Sequence, residues 1–289
     1  IGEIEKNTTK KQDVFNQKKI NFLEGIEFQN VDVWFPLMHG FNGEDGSIHG
    51  LLKFTKKPLV GCGIIGSALG MDKIMMKTIF SNLKIPQVNY LVFQHEDIND
   101  KKVKNKFINE ILNKLNFPVF IKPCNSGSSL GISKVIDESG LLQALEKAWE
   151  IDPRILVEEG LEVKEIECGI IGNSKLLTSE IGEVKYDNDW YDYDSKYNSN
   201  SKITIPAEID SKITKEIKEI AIQSCRALNI FGFARVDFFL EKSSNKILLN
   251  EINTIPGFTK NSMFPMLWKA SRLNIEQLVA KLVDISLNS

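Results

Sequence analysis

Residues 231–259 constrain the fold more than any other part of the sequence, because they contain two apolar segments separated by a turn. Residues 234–240 and 246–252 are rich in β-branched and aromatic side chains, which are typical of strands. The sequence Glu-Lys-Ser-Ser-Asn between them has the composition of a turn. This pattern predicts an antiparallel hairpin with a loop of about three to five residues.

Four polar residues interrupt the apolar character of this hairpin. Asp237 follows Arg235 by two positions, and Asn253 follows Glu251 by two. Since side chains alternate between the faces of a strand, each pair lies on one face, and the short loop brings both pairs together. Carboxylate and amide oxygens in small number suit Mg²⁺, which takes its remaining ligands from water and phosphates. Arg235 beside such a site would stabilise charge on a transferring phosphoryl group.

The alternative is a hairpin with a solvated face, on which these residues form ordinary cross-strand ion pairs. The flanking segments are strongly apolar, and acids within buried strands are uncommon without a partner or a metal ion. The hairpin sequence alone leaves both interpretations open.

Composition limits the class of protein. With 289 residues the chain can bury a large core and form more than one domain. The net charge of −2 gives no basic surplus, so nucleic acid is not expected as a partner. No apolar run has the length of a membrane span, and no signal peptide is visible. The four cysteines are widely spaced, which predicts free thiols in a reducing cytoplasm.

A glycine-rich loop at residues 39–46 lies between a predicted strand, 31–37, and a predicted short helix, 47–54. Asp45 or Ser47 is the expected helix cap. A strand, glycine loop and helix in this order can present backbone N–H groups to an anion. The alternative, a tight turn without a ligand, is favoured on this pattern alone.

The remaining periodicity predicts a chain of alternating helices and strands. Strands are expected at 58–61, 86–93, 117–122, 132–135, 155–159, 164–171 and 175–180. Helices are expected at 67–83, 101–115, 139–150 and 211–228, and again after Pro265.

Two loops have a composition that indicates function. Residues 125–131 form a Gly/Ser loop between two strands, directly after Lys122-Pro123, and such a loop can close over phosphates. Residues 184–201 are polar and rich in tyrosine, and loops of this length within a compact domain are usually functional or disordered.

Taken together, these segments resemble the D-alanine–D-alanine ligases, a family of the ATP-grasp superfamily. HGFNGEDGSIHG resembles the family motif HGxxGEDGxxQG, and SALGMDK ends at the position of a nucleotide-binding lysine. FIKPCNSGSSLG resembles the lysine strand and phosphate flap, and YDYDSKY the omega loop. RVDFFL and LNEINTIPGFTKNSMFP resemble the metal and acceptor sites. The resemblance covers about residues 31–289.

The resemblance implies an α/β (α+β) ATP-grasp fold, in which two sheet lobes grip ATP, preceded by a partial Rossmann-like domain. The expected domains are a partial N-terminal substrate domain (1–66), a central ATP-grasp subdomain (67–158) and a C-terminal catalytic subdomain (159–289). The chain begins with Ile1, and no residue matches the family's N-terminal glutamate, which binds the first substrate's ammonium group. An incomplete N-terminal lobe is therefore expected.

The resemblance also assigns site residues. It implies that Asp237, Glu251 and Asn253 hold two Mg²⁺ ions, with Mn²⁺ as a possible substitute. Nucleotide contacts are implied for Lys73, Lys122, Ser128, Ser129, Glu158, Glu159, Leu161, Glu165, Lys196, Phe239 and Asn250. Within this set the two lysines Lys73 and Lys122 would contact phosphates, Glu158 and the backbone near Leu161 the adenine, and Glu165 the ribose. Catalytic roles are implied for Arg235, Ser128, Tyr197, Lys196, Gly257 and Ser262.

The implied reaction is the ATP-dependent joining of two D-alanines through D-alanyl phosphate, for peptidoglycan synthesis. The expected partners are ATP and D-alanine and a second copy of the chain, without nucleic acid or membrane. Three alternatives remain: a D-serine or D-lactate acceptor, a nucleotide-binding module without ligase activity, and a ligase for a larger acid. Tyr197 is typical of D-alanine ligases, and Met263 lies where acceptor choice is tuned. The compact Lys-Tyr omega loop argues against a larger acid.

Two positions depart from the family pattern. His49 stands where glutamine is usual, and Glu159 stands beside the adenine position where several members have lysine. Neither departure removes an expected metal ligand.

Overall fold

A computed structural model describes residues 30–94, 100–125, 131–185 and 202–288. Its helices are α1 (Ser47–Lys53), α2 (Gly63–Met71), α3 (Lys73–Asn82), α4 (Lys101–Lys114), α5 (Leu141–Trp149), α6 (Ser211–Ala227), α7 (Met263–Ala270) and α8 (Ile275–Leu287). Its strands are β1 (Tyr90–Gln94), β2 (Val119–Pro123), β3 (Ser133–Val135), β4 (Arg154–Glu159), β5 (Val163–Gly172), β6 (Leu176–Lys185), β7 (Lys202–Thr204), β8 (Gly232–Glu241) and β9 (Ile247–Asn253). The strands form two antiparallel sheets, ordered β1-β4-β2-β3 and β7-β6-β5-β8-β9. Among these helices, none is long and apolar enough to cross a membrane.

The smaller sheet is covered on one face by α4 and α5. Ile121 and Val157 point into this core, where they pack with Ile111 of α4 and Leu145 of α5. Because side chains alternate along a strand, Lys122 and Glu158 point to the opposite face of the same sheet. The apolar packing therefore determines which polar side chains the sheet presents.

The larger sheet has helices on both faces. On one face, α3 and α6 cover a core that includes Val236 and Phe238. On the other face, α7 and α8 pack near the end of the sheet that holds Ile171 and Phe233. Farther along this second face the side chains become polar, beginning with the ion pair of Arg235 with Asp237. The second face thus combines a packed end with a polar end.

The predicted hairpin is confirmed as β8 and β9, but its ladder contains a β-bulge. Asp237 pairs with Glu251, whereas the next residue, Phe238, pairs with Leu249, which leaves Asn250 as the extra residue. Leu249 faces the core, so strict alternation would also point Glu251 into the core. The bulge reverses the alternation and re-aims Glu251 to the face of Asp237.

The single helix expected at 67–83 is wrong, since α2 ends at Met71 and α3 begins at Lys73. Asp72 adopts an extended conformation between them, and its side chain caps α3 by accepting a hydrogen bond from Met75 N. Arg154 of β4 also donates to the Asp72 carboxylate, at 2.7 Å. The cap and this long-range ion pair fix the break immediately before Lys73.

The strands expected at 31–37 and 58–61 are also wrong, because a single parallel bridge joins Trp34 to Leu59. Pro36 has no backbone N–H to extend such a ladder. Helix 101–115 is confirmed as α4, and helix 211–228 as α6. The predicted strand at 175–180 extends to Lys185, and residues 186–201 of the tyrosine-rich loop lie outside the described residues. The four cysteines are free, as their spacing predicted, and all four are buried.

Candidate active site

The polar end of the larger sheet is organised by Arg235. Its Nε donates to Asp237 Oδ1 at 2.7 Å, and its Nη2 donates to Asp237 Oδ2 at 2.8 Å. Asn253 Nδ2 on the paired strand donates to the same Oδ2, also at 2.8 Å. The predicted proximity of these three residues is confirmed, because β8 and β9 pair Arg235 with Asn253 directly. A bidentate pair of this kind fixes both orientation and charge.

Glu167 is a member of this network that the sequence interpretation missed. It lies on β5 opposite Asp237, and its Oε2 is 2.9 Å from Arg235 Nε. A signal was present, since Glu165 and Glu167 alternate with Ile166 and Cys168 on a predicted strand. That alternation places two carboxylates on one face.

The charge state of Arg235 is fixed by its neighbours. Burial alone would lower its pKa, but the carboxylates of Asp237 and Glu167 outweigh burial and hold the pKa well above its ordinary range. Arg235 therefore stays a cation at every physiological pH, and it can oppose negative charge in the site.

A second charged cluster lies on the smaller sheet and joins it to the larger one. Glu158 Oε1 is 2.6 Å from Lys77 Nζ, and Glu158 Oε2 binds Lys122. Burial would raise the pKa of Glu158, but the lysines Lys122 and Lys77 outweigh it and lower the pKa to about 2. For Lys122, burial would lower the pKa, and Glu158 outweighs this effect and raises it. Glu158 and Lys122 therefore remain charged near neutral pH.

Lys77 was missed because it lies within an apolar helical run, Ile-Met-Met-Lys-Thr-Ile-Phe. It is 2% exposed, and its ammonium group lies 5.3 Å from the centre of the Tyr90 ring. A buried lysine of this kind requires a carboxylate partner, which sequence periodicity does not identify.

The adjacent predicted nucleotide residues lie on two faces of the smaller sheet. Glu158 faces Lys122, whereas the Glu159 carboxylate accepts hydrogen bonds from Asn89 and Asn116, at 2.7 and 2.5 Å. Because its carboxylate already binds these two asparagines, the predicted contact of Glu159 with a nucleotide would be made by its backbone. Leu161 follows in the connection between β4 and β5.

Lys73 links the two clusters electrostatically. It is the first residue of α3, and burial lowers its pKa, while the carboxylate of Glu251 opposes that shift. The charge of Lys122 also acts on Lys73, and that of Glu165 acts on Lys122. The two predicted phosphate-binding lysines are therefore close enough to Glu251 and Glu165 for these acids to affect their pKa values.

The other predicted residues that the structure describes occupy three places. Phe239 pairs with Glu165 across β5 and β8, and Asn250 is the bulged residue of β9. Gly257 and Ser262 are neighbours, because a Cβ atom at Gly257 would lie 2.9 Å from Ser262 Oγ. The remaining predicted residues, Ser128, Ser129, Lys196 and Tyr197, lie outside the described residues.

The glycine-rich loop, residues 39–46, contacts the segment after β9. Backbone N–H groups of the loop donate hydrogen bonds to acceptors within the loop itself. His39 Nδ1 donates to Ile255 O at 2.9 Å, which ties the loop to the segment after β9. Gly40 N donates to the Glu44 carboxylate, and Asp45 accepts from Asn42 N and Ser47 N. These internal bonds favour the turn interpretation. Burial raises the pKa of Glu44, and the nearby Glu251 raises it further.

The candidate donors for Mg²⁺ are two carboxylates and one amide. Asp237 and Glu251 supply carboxylates on directly paired residues, and Asn253 supplies an amide next to them. Within the described ranges, no group of three or more His, Cys, Asp or Glu side chains is arranged to hold a metal ion. Two carboxylates and an amide nevertheless fit Mg²⁺, which commonly takes one or two carboxylates and completes its shell with phosphates and water.

A four-stranded sheet that carries Lys122 and a five-stranded sheet that carries Arg235 and Asp237, matched by solved D-alanine ligases, define an ATP-grasp enzyme. Residues 2–62 match the model of the D-Ala-D-Ala ligase N-terminus, and residues 79–284 that of the C-terminus. The chain belongs to the D-alanine–D-alanine ligase family.

Individual relatives agree with this assignment. The chain is 85% identical over 287 residues to the D-alanine–D-alanine ligase of Prochlorococcus marinus strain MIT 9301, covering 99% of this chain and 81% of the relative. Among solved structures, the VanG D-Ala:D-Ser ligase from Enterococcus faecalis is 37% identical with a TM-score of 0.79, covering 89% of this chain and 73% of that one. The D-alanine-D-alanine ligase from Coxiella burnetii is 32% identical with a TM-score of 0.76, covering 89% and 68%.

Proposed function

We propose that this protein joins two molecules of D-alanine to give D-alanyl-D-alanine, a peptidoglycan precursor, with the consumption of ATP. The observation that supports it most is the network of Arg235, Asp237, Glu167 and Asn253, which sets a fixed cation beside carboxylate and amide oxygens. The family relatives named as D-alanine–D-alanine ligases point to the same reaction.

The first step activates a carboxylate. A carboxylate oxygen of one D-alanine forms a bond to the γ-phosphorus of ATP, the bond to the β,γ-bridging oxygen breaks, and ADP leaves with that electron pair. Lys73 and Lys122 oppose the charge of the phosphates, and Arg235 opposes the charge of the transferring group. When bound, Mg²⁺ would be held by Asp237, Glu251 and Asn253 and would neutralise phosphate charge.

The second step forms the peptide bond. The amine of the second D-alanine attacks the acyl carbon, the C–O bond to phosphate breaks, and phosphate leaves with its electron pair while the amine loses a proton. Arg235 would also stabilise the oxyanion of the tetrahedral intermediate. An acyl phosphate hydrolyses in water, so we assign Ser128, Ser129, Lys196 and Tyr197 to the loops that exclude it.

The proposal also covers the domains, the number of metal ions, the assembly and the location of the protein. We assign residues 1–66 to the substrate domain, 67–158 to the central subdomain and 159–289 to the catalytic subdomain. We further propose two Mg²⁺ ions per site, with Mn²⁺ as a substitute, a homodimeric assembly and a cytoplasmic location.

D-serine is the second candidate acceptor, because a solved D-Ala:D-Ser ligase is 37% identical to this chain. Tyr197 argues against D-lactate, since an imidazolium at that position, and not a neutral phenol, would favour a hydroxy acid over an acceptor with an ammonium group, but it does not separate D-serine from D-alanine.

The test is a product analysis. The protein is incubated with ATP and Mg²⁺ and with D-alanine alone, or with D-alanine and an equal concentration of D-serine or D-lactate. Products are quantified by mass spectrometry and ADP by a coupled assay. We expect D-alanyl-D-alanine as the main product and no ADP without D-alanine. A main product ending in D-serine would support the second candidate, and ATP binding without any product would indicate a nucleotide-binding module.

A further inference from the structure

Arg235 has two carboxylate partners, and they lie on different strands. Its Nε is 2.7 Å from Asp237 Oδ1 on its own strand and 2.9 Å from Glu167 Oε2 on β5. One guanidinium group therefore holds two acids, although the proposed reaction assigns a role to Asp237 and none to Glu167.

A cation bound at Asp237 would compete with the hydrogen bonds that its carboxylate already accepts. Its Oδ1 accepts from Arg235, and its Oδ2 accepts from both Arg235 and Asn253. A carboxylate that turns its lone pairs to a divalent ion gives up part of a bidentate pair with a guanidinium group. Without a second anchor, Arg235 would then be free to change rotamer, and a buried cation would lose its compensation.

Glu167 is well placed to be that anchor. It lies on the central strand of the five-stranded sheet, and its backbone is paired with Asp237 on one side and Gly182 on the other. Its side chain is 11% exposed, so its position is fixed by the surrounding protein. A charged partner on a rigid, buried strand holds a guanidinium group at a defined angle.

We propose that Glu167 is a positioning residue, which keeps the Arg235 guanidinium aimed into the site while Asp237 binds a divalent cation. This inference rests on the proposed function, because it assumes that Asp237 becomes a ligand during the reaction. It gives Glu167 a role that acts through Arg235 and not through the substrate.

The direct test is an NMR measurement of arginine Nε–H groups. The chain has four arginines, Arg154, Arg226, Arg235 and Arg272, so ¹⁵N labelling gives few signals, and an Arg235→Lys variant assigns the relevant one. In the wild type, we expect the Arg235 Nε–H to be protected from solvent exchange both before and after addition of Mg²⁺ and ADP. Loss of protection in the wild type when Mg²⁺ and ADP bind would overturn the proposal without any variant of Glu167.

The Glu167→Gln variant separates positioning from a general structural role. We expect Arg235 Nε–H to stay protected in the free variant, where Asp237 holds it, and to lose protection with Mg²⁺ and ADP. The matched control is Glu183→Gln, which removes a buried carboxylate of the same sheet that pairs with Lys164 and Lys185. In the control variant, the Arg235 Nε–H group should remain protected both without and with Mg²⁺ and ADP. Retained protection in Glu167→Gln with Mg²⁺ and ADP would contradict the inference.

Steady-state kinetics give a second measurement. We expect Glu167→Gln to lower kcat about 10- to 100-fold, as is usual for residues that orient a functional group, with a much smaller change in the KM for ATP. Glu167→Asp should recover part of the lost kcat. A raised KM with unchanged kcat would overturn the proposal. If the wild type forms no dipeptide, the proposed function fails, whereas the NMR experiment still decides the role of Glu167.

Discussion

Replacement of Lys77 by methionine tests the charged cluster that joins the two sheets. Met76 and Phe80 of the same helix pack in the core of the larger sheet, whereas Glu158 belongs to the smaller sheet. The pair of Lys77 with Glu158, at 2.6 Å and with side chains 2% and 3% exposed, is buried and links α3, which packs on the larger sheet, to the smaller sheet. Methionine keeps most of the volume of the lysine stem and removes the charge.

The structure sets the size of the effect. Removal of one partner from a buried ion pair costs about 3–5 kcal/mol, because the other charge is left uncompensated. Lys122 still binds the second oxygen of Glu158, so the loss should lie near the lower end of that range. We therefore expect Lys77→Met to reduce the free energy of unfolding by about 3 kcal/mol. For a chain of this size, that loss lowers Tm by roughly 6–12 °C.

The assay is urea denaturation and thermal melting of the wild type, the single variants Lys77→Met and Glu158→Gln, and the double variant. The control is Lys215→Met, which removes an exposed lysine that lies 3.9 Å from Glu219 and should change stability by less than about 1 kcal/mol. We expect the double variant to be more stable than the sum of the single losses predicts. Additive losses, or a Tm for Lys77→Met equal to that of the control, would refute the bridging role.

Three further predictions concern the site. Glu251→Gln should lower turnover by about 100-fold or more while ATP affinity, measured by calorimetry, changes far less, because the lost carboxylate acts mainly on transferring charge; equal losses in both would contradict its role. The pKa of Glu158 is about 2 in the fold and lies below its ordinary value of 4.5, so its stabilisation is complete above pH 4.5 and is lost as the pH falls towards 2. A Tm profile of Glu158→Gln should therefore be flatter than that of the wild type within this window, and parallel profiles would disprove the assignment. Tyr197→His should raise the ratio of D-alanyl-D-lactate to D-alanyl-D-alanine below about pH 7, where an imidazolium repels the ammonium group of D-alanine but not the hydroxyl group of D-lactate. An unchanged ratio, with shifts in Met263 variants, would place acceptor choice elsewhere.

Local sequence pattern predicted the hairpin well, because alternation and a short polar turn are properties of neighbouring residues. The proximity of Arg235, Asp237 and Asn253 followed directly from that pairing. The bulge at Asn250 did not, since the pairing of Leu249 with Phe238 depends on how the strand packs on the core.

Long-range charge pairing explains what the sequence did not predict. Glu158 lies 81 positions after Lys77 in the chain, and no periodicity links the two residues. The break between α2 and α3 has the same origin, because Asp72 forms an ion pair with Arg154, which lies on a strand far away in the sequence. Glu167 was accessible in principle, since its alternation with apolar neighbours was visible, but its partner Arg235 lies on another strand.

The fate of the D-alanine carboxylate oxygen tests the central claim most directly. If this protein activates a carboxylate by phosphoryl transfer, one oxygen of that carboxylate leaves with the phosphate when the amine attacks. With D-alanine labelled with ¹⁸O in its carboxylate, each molecule of inorganic phosphate should carry one ¹⁸O atom, and one dipeptide should form for each ADP. Unlabelled phosphate, released with ADP but without dipeptide, would show that water and not D-alanine attacks ATP in this site.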